Sequence, residues 1–298
     1  MIRICYPFVG DSVGGSHRST LLLIQNIDRS RFEPIIVIHR LGPLAQILKE
    51  KQLNYHYLPI KTLPGDVPSL INILYSLIIA LPKIIIFINT KRINLVHGND
   101  LRINLTWSLA TRICGLCYVW HQRVILSRSR FWYIMRLVAA HIISISDTVT
   151  KTLPPLKKGQ STTIYNPFEL KRYKNNYNRK TYLNEVEGIN KNSIVVGFVG
   201  RLEHQKRPRI FIQIAAKLKE KYDNEINFIM LSGSQDKEFD EIHNYASNLN
   251  ISKELKILGF KNNPEDYMSG FDLLIATSIN DGFGRSLVEA MLLGIPVI

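Results

Sequence analysis

The sequence predicts an α/β protein made of two doubly wound units. Three observations carry this. Short apolar runs alternate with helix-patterned segments along most of the chain. The runs rarely alternate polar with apolar residues, as expected of parallel strands covered on both faces. The alternation is broken once, by a polar stretch, and then restarts. A length of 298 residues suits two domains of about 150 residues each.

In order, strand-like runs fall at 2–9, 34–39, 55–60, 95–97, 117–120, 141–146 and 162–165. Helix-like segments at 16–26, 44–51, 103–113, 131–139 and 147–153 lie between them. The stretch "LKRYKNNYNRKTYLNEVEGINKNS" is polar and basic and reads as a linker. Beyond it, strands are expected at 193–199, 227–232, 255–260 and 272–276, with helices at 208–222, 238–250, 264–270 and 286–293. The expected domains are therefore 1–168, a linker 169–192, and 193–298. Repeated βαβ units imply right-handed crossovers. Two such units imply a cleft, with ligands beyond the carboxyl ends of the strands.

Composition excludes several classes. Hydrophobic residues make up 46% and charged residues 21%, as in globular proteins. No basic n-region with an apolar h-region precedes "IRICYPFV", so no signal peptide is expected. The three cysteines, Cys5, Cys114 and Cys117, fit a reduced cytoplasmic protein. Cys114 and Cys117 form a lone C-x-x-C without a second ligand pair, so no metal site is expected. The net charge of +14 is uneven: residues 1–168 hold 20 Lys/Arg against 7 Asp/Glu, and the remainder 18 against 17. A basic first half points to a polyanionic neighbour, such as an anionic membrane surface or a phosphorylated substrate. A merely soluble basic surface reads the same way. No nucleic-acid recognition pattern is present, so nucleic acid is not an expected partner.

The segment 69–92 is apolar, but Asn72, Pro82, Lys83 and Asn89 interrupt it. Its unbroken apolar runs fall short of the ~18–20 residues a membrane span requires. A helix of the first domain is the leading reading. A surface dipping into an anionic membrane interface is the second, and a transmembrane helix the third.

Three loop motifs carry the chemistry. After the first strand, Gly14 and Gly15 open a helix, where backbone N–H groups can approach a phosphate. Glycine at such a turn also occurs for steric reasons alone. In "VGRLEHQKRP", Arg201 and Lys206 follow a strand end and suit a diphosphate. Two cations in a surface loop are also common. In "DGFGRSLVEAM", Asp281 and Glu289 flank the turn Gly282-Phe283-Gly284. Glu289 falls inside an apolar-patterned helix and needs a partner there. A ribose diol fits, and so does a nearby Lys or Arg.

"GRLEHQK" followed by "DGFGRSLVEAMLLGIPVI" resembles the retaining glycosyltransferases of the GT-B fold, glycosyltransferase family four. "VHGND", "ISIS" and "IYNPFE" extend the resemblance through the first half, more loosely. The resemblance implies two Rossmann-like domains facing a cleft. It also implies transfer of a sugar, with retained configuration, from a nucleotide diphosphate sugar to a glycan or lipid-linked acceptor in surface polysaccharide biosynthesis. Arg201 and Lys206 would hold the diphosphate without a metal, and no other cofactor is expected. Glu289 would hold the ribose. Asp281 would touch the sugar hydroxyls, with the N–H groups of Gly282, Phe283 and Gly284. His121 in "YVWHQR" would face the donor sugar, with His97 a weaker rival. A GT-B epimerase and a non-catalytic sugar-nucleotide-binding protein are the alternatives. Two departures stand out. Asp281 occupies the position of the family's first glutamate and is one methylene shorter. The family's pattern also continues beyond "PVI", so the second domain is expected to be incomplete, as in a truncated chain.

Overall fold

The structure, a computed structural model, describes residues 1–61, 70–127, 131–173, 179–222, 225–232, 237–261 and 263–298. The chain divides into two compact units, Met1–Phe168 and Glu169–Ile298.

In the first unit the apolar runs become β1 (Ile2–Phe8), β2 (Phe32–Ile38), β3 (Tyr55–Tyr57), β4 (Leu95–Gly98), β5 (Cys117–Gln122), β6 (His141–Ser144) and β7 (Ser161–Thr163). The helices are α1 (Gly15–Asn26), α2 (Pro43–Glu50), α3 (Leu70–Thr90), α4 (Leu101–Ile113), α5 (Phe131–Val138) and α6 (Asp147–Thr150). The strands pair in the order β3-β2-β1-β4-β5-β6-β7, all parallel. The direction of winding reverses at β1, so helices cover both faces. Ile4, Tyr6 and Phe8 of β1 face the α1–α2 side, and Cys5 and Val9 face the side of α3, α4 and α5. Trp107 and Trp120 are fully buried in the second of these cores. Truncating either to Ala costs about 3–5 kcal/mol. The reversal places the loops after β1 and β4 side by side at the carboxyl edge, the usual ligand position.

The segment expected at 69–92 forms α3, while residue 69 lies outside the described residues. Ala80, Ile84 and Ile88 pack inward, and Ile78, Ile79 and Ile86 face out with Lys83. No helix among the described residues is long and apolar enough to cross a membrane.

In the second unit the elements are α7 (Arg179–Glu187), β8 (Ile194–Val199), α8 (Pro208–Lys221), β9 (Ile226–Leu231), α9 (Lys237–Asn248), β10 (Leu255–Leu258), α10 (Pro264–Met268), β11 (Leu273–Leu274) and α11 (Arg285–Leu292). The strand order is β10-β9-β8-β11, again parallel. The reversal here lies between β8 and β11, so the loops 200–207 and 275–284 share one edge. Past α11, Leu274 bridges Val297 in parallel, and Ala276 N–H donates to Ile298 O at 2.7 Å. The residues after Gly294 thus lie beside β11.

The stretch 169–192 differs from the linker expected there. It carries a 3₁₀ turn at Leu170–Tyr173 and α7, while 174–178 lie outside the described residues. Leu183 and Ile189 are buried in the core of the second unit, and Tyr182 meets Tyr267 edge-on at 5.2 Å. The polar composition hid this, because a few apolar side chains on one helix face suffice for docking.

Candidate functional site

In the second unit, the sequence-expected groups fall on the two loops at the β8/β11 reversal. Lys206 sits in a 3₁₀ turn, His204–Lys206, after β8. Its stem passes over Gly200, where an added Cβ would lie 3.5 Å from Lys206 Cγ and Cδ. Lys206 Nζ donates to Asp281 Oδ1 at 2.6 Å and to Oδ2 at 2.7 Å. The ammonium thus meets both carboxylate oxygens, although 75 residues separate the two in sequence. Both side chains are about a quarter exposed, at 24% and 29%.

Two further bonds clip the loops together. Thr277 Oγ1 donates to the carbonyls of Lys206 at 2.7 Å and Arg207 at 3.0 Å. Ile279 N–H donates to Gln205 O at 3.0 Å. Arg207 adopts a left-handed backbone (φ 49°) just before Pro208 opens α8, an uncommon state for a non-glycine residue. The clip gives that state a structural support. Sequence reasoning missed Thr277, because a threonine after a short strand carries no motif signal.

Arg201 also sits on the β8 loop, but its side chain is 70% exposed and pairs with Glu203 at 2.5 Å. It is therefore placed near Lys206 in the chain but is not joined to the Asp281 pair. Gly284 caps α11 with φ 72°, a conformation that favours glycine. Gly282 and Phe283 precede it in the same loop. Glu289 is buried one turn into α11, and Arg285 Nε donates to its Oε1 at 2.8 Å. Of the two partners that suited Glu289, the nearby cation is the one present in the chain itself.

In the first unit, the groups converge at the carboxyl edge around the β1/β4 reversal. His121 lies at the end of β5 and His97 on β4. His97 Nε2 and His121 Nδ1 are 3.1 Å apart. Arg123 Nη2 reaches the same Nδ1 at 3.4 Å. Arg123 also donates to Asn99 Oδ1 (2.9 and 3.1 Å), Asn166 Oδ1 (2.7 Å) and Thr20 Oγ1 (3.2 Å). "VHGND" and "IYNPFE" therefore meet at one guanidinium, through Asn99 and Asn166. Neither stretch showed this alone, because 24 and 43 residues separate them from Arg123. Burial and the nearby Arg123 charge press the His97 pKa down to about 3. The same causes, with His97 added, push His121 down further.

Gly14 has extended backbone, and its N–H donates to His17 Nδ1 at 3.1 Å. That donor, expected to face a phosphate, is held by the chain itself. A Cβ at Gly14 would meet nothing within 4 Å, so neither sterics nor dihedral requires glycine there. Gly15 is the first residue of α1. Asp11, after β1, accepts from Arg102 Nη1 at 2.7 Å, and Arg102 also contacts Asp100 after β4. Burial opposes the Asp11 carboxylate, but the Arg102 bond and charge outweigh it and lower the pKa. This pair ties the β1 and β4 loops together.

Among the described residues, no cluster of three or more His, Cys, Asp or Glu could hold a metal ion.

Residues 180–298 match the family Glycosyl transferases group 1. The matched stretch contains Arg201, Lys206, Asp281 and Glu289. Over its full length the chain is 23% identical to the UDP-Gal:alpha-D-GlcNAc-diphosphoundecaprenol alpha-1,3-galactosyltransferase of Escherichia coli, spanning 79% of that protein. It is 21% identical to the capsular polysaccharide biosynthesis glycosyltransferase CapH of Staphylococcus aureus, over 97% of the chain and 79% of the relative. Anabaena HepE, solved in complex with UDP and glucose, superposes with a TM-score of 0.82 at 22% identity, over 100% of this chain and 80% of that one. The chain has the GT-B fold, with Rossmann-like parallel sheets in both units.

Proposed function

We propose that this protein is a glycosyltransferase that moves a hexosyl group from a UDP-sugar to a lipid-linked or glycan acceptor in surface polysaccharide synthesis, with retention. The observation that carries the reading is the Lys206–Asp281 pair, held by Thr277 at the strand-order reversal of a glycosyl transferases group 1 domain. The names of the relatives, a UDP-galactose-dependent transferase and a capsule transferase, support the donor and acceptor classes.

The roles follow from the chemistry. The acceptor oxygen bonds to the sugar's anomeric carbon as the bond from that carbon to the phosphate oxygen breaks. The acceptor proton passes to the departing phosphate. Lys206 and Arg201, cations on the loop after β8, stabilise the leaving UDP without requiring a metal. To do so, Lys206 loosens its hold on Asp281, and Arg201 leaves its exposed pair with Glu203. Asp281 turns to the sugar hydroxyls, with the N–H groups of the 282–284 turn. Glu289, oriented by Arg285, takes the ribose diol. His121 faces a donor hydroxyl, and the Gly14–Gly15 turn leaves room for a ligand beside α1. The site of action is the inner face of the cytoplasmic membrane, reached peripherally. The +13 excess of residues 1–168 and the outward isoleucines of α3 support that location.

The test is transfer from radiolabelled UDP-sugars to polyprenyl-linked acceptors extracted from membranes. Labelled lipid product, reduced by at least tenfold in Lys206→Ala, is the expected result. Absence of transfer from every donor, together with absence of UDP binding, overturns the reading.

A further inference from the structure

The two histidines at the carboxyl edge of the first unit form one device. Their rings are nearly coplanar (12°), with centroids 5.3 Å apart. At that separation, with the facing nitrogens 3.1 Å apart, the rings meet edge to edge and share a single proton. The direction of that shared bond follows from donor counting. His121 Nδ1 also faces the Arg123 guanidinium at 3.4 Å. A guanidinium can only donate. Nδ1 of His121 is therefore the acceptor, and His97 Nε2 carries the proton. A neutral imidazole has one N–H, so the proton of His121 sits across the ring, on Nε2.

That N–H is buried and has no acceptor among the described residues. A buried donor is normally paired, and none of the described residues pairs this one. Bonds to Asn99, Asn166 and Thr20 hold the guanidinium in place beside His121. Arg123 and the burial of both rings keep the pair neutral at physiological pH. His121 thus acts as a fixed donor and does not carry protons.

We propose that His97 is a positioning residue that sets the tautomer of His121, so that His121 Nε2–H is presented to a hydroxyl of the glycosyl ligand. The ligand's identity rests on the transferase reading; the tautomer does not. A histidine with the opposite tautomer would offer a lone pair at Nε2 and would have to accept from the hydroxyl. The His97 bond thus decides which hydroxyl orientation the site recognises.

The experiment is long-range ¹H–¹⁵N correlation on the full chain labelled with ¹⁵N-histidine, between pH 6 and 8. Wild type is expected to show protonated Nε2 and unprotonated Nδ1 at both His97 and His121, without titration. Addition of UDP-glucose or UDP-galactose is expected to shift His121 Nε2. In His97→Leu the two His121 nitrogens move toward averaged shifts, and kcat/KM falls about tenfold, the value of one buried hydrogen bond. His97→Gln returns an N–H to the same place and restores both readouts to within about threefold. It also guards against a leucine variant that fails to fold. His121 found protonated on Nδ1 in wild type overturns the proposal. So does His97→Leu with His121 unchanged in spectrum and turnover. The free-protein spectra need no substrate. A protein that turns over no nucleotide sugar but shows this tautomer, lost in His97→Leu, therefore counts against the transferase reading while upholding the role of His97.

Discussion

Asp281→Asn isolates the ion pair at the strand-order reversal of the second unit. The pair brings opposite charges to 2.6 and 2.7 Å. In an environment of effective dielectric ~20, its gross attraction is about 6 kcal/mol. Desolvation and side-chain ordering cancel most of that. For side chains 24% and 29% exposed, a net value of ~1 kcal/mol is appropriate. A UDP phosphate that recruits Lys206 must give up that ~1 kcal/mol. A neutral amide cannot hold the ammonium as a carboxylate does, so Asp281→Asn is expected to bind UDP about fivefold more tightly. Lys206→Ala removes a charge-assisted bond and should bind UDP about 10- to 100-fold more weakly. The measurement is titration calorimetry with UDP at low and high salt. The Asp281→Asn gain should shrink as salt rises, because a partly exposed pair is screened. Turnover should move the other way in Asp281→Asn, since the sugar loses its anionic partner. UDP affinity equal to wild type in both variants would refute the reasoning that Lys206 is shared between Asp281 and phosphate.

Four other outcomes are expected. Arg285→Ala leaves the buried Glu289 without one of its charged partners and should cost about 1–3 kcal/mol in urea unfolding, with Glu289→Gln in the same background recovering part of it. Thr277→Val removes one hydroxyl at nearly constant volume and should cost about 1 kcal/mol of stability, with a larger proportional loss in UDP affinity than in urea midpoint. Acid should destabilise the first unit through His39, whose pKa burial lowers from 6.5 to about 4. The folded state holds it neutral, accepting from Trp107 Nε1 at 3.0 Å, so its contribution is complete above pH 6.5 and is lost as pH falls toward 4. Denaturant midpoints across that window, flattened in His39→Gln, check it. Ile86→Asp on the outward face of α3 should reduce co-sedimentation with anionic vesicles severalfold and leave UDP affinity unchanged.

Much was legible in the sequence, for identifiable reasons. Parallel strands covered on both faces are short and apolar, so each showed as an apolar run. β1, β3, β4, β5, β6 and β10 begin at their expected starts. The glycine turn of 282–284 and the Lys206 loop were visible because local backbone chemistry restricts which residues can stand there. Helix α7 was not legible, because its side chains are mostly polar and its docking face is only a few residues wide. The hold on Glu289 was half legible: the burial was apparent from the apolar pattern around it, and a nearby Lys or Arg was one of the partners that suited it, but which cation was decided by the structure.

The sequence by itself determined the fold class, the alternation of elements and the candidate loops, because periodicity and turn chemistry act over a few residues. The tertiary structure decided the strand order, and with it which loops are neighbours. Only the reversal between β8 and β11 brings Lys206 to Asp281. Only the pairing of β4 with β5 sets His97 beside His121. Those contacts join residues 24 to 75 apart in the chain. Their geometry depends on sheet register, which no local pattern encodes.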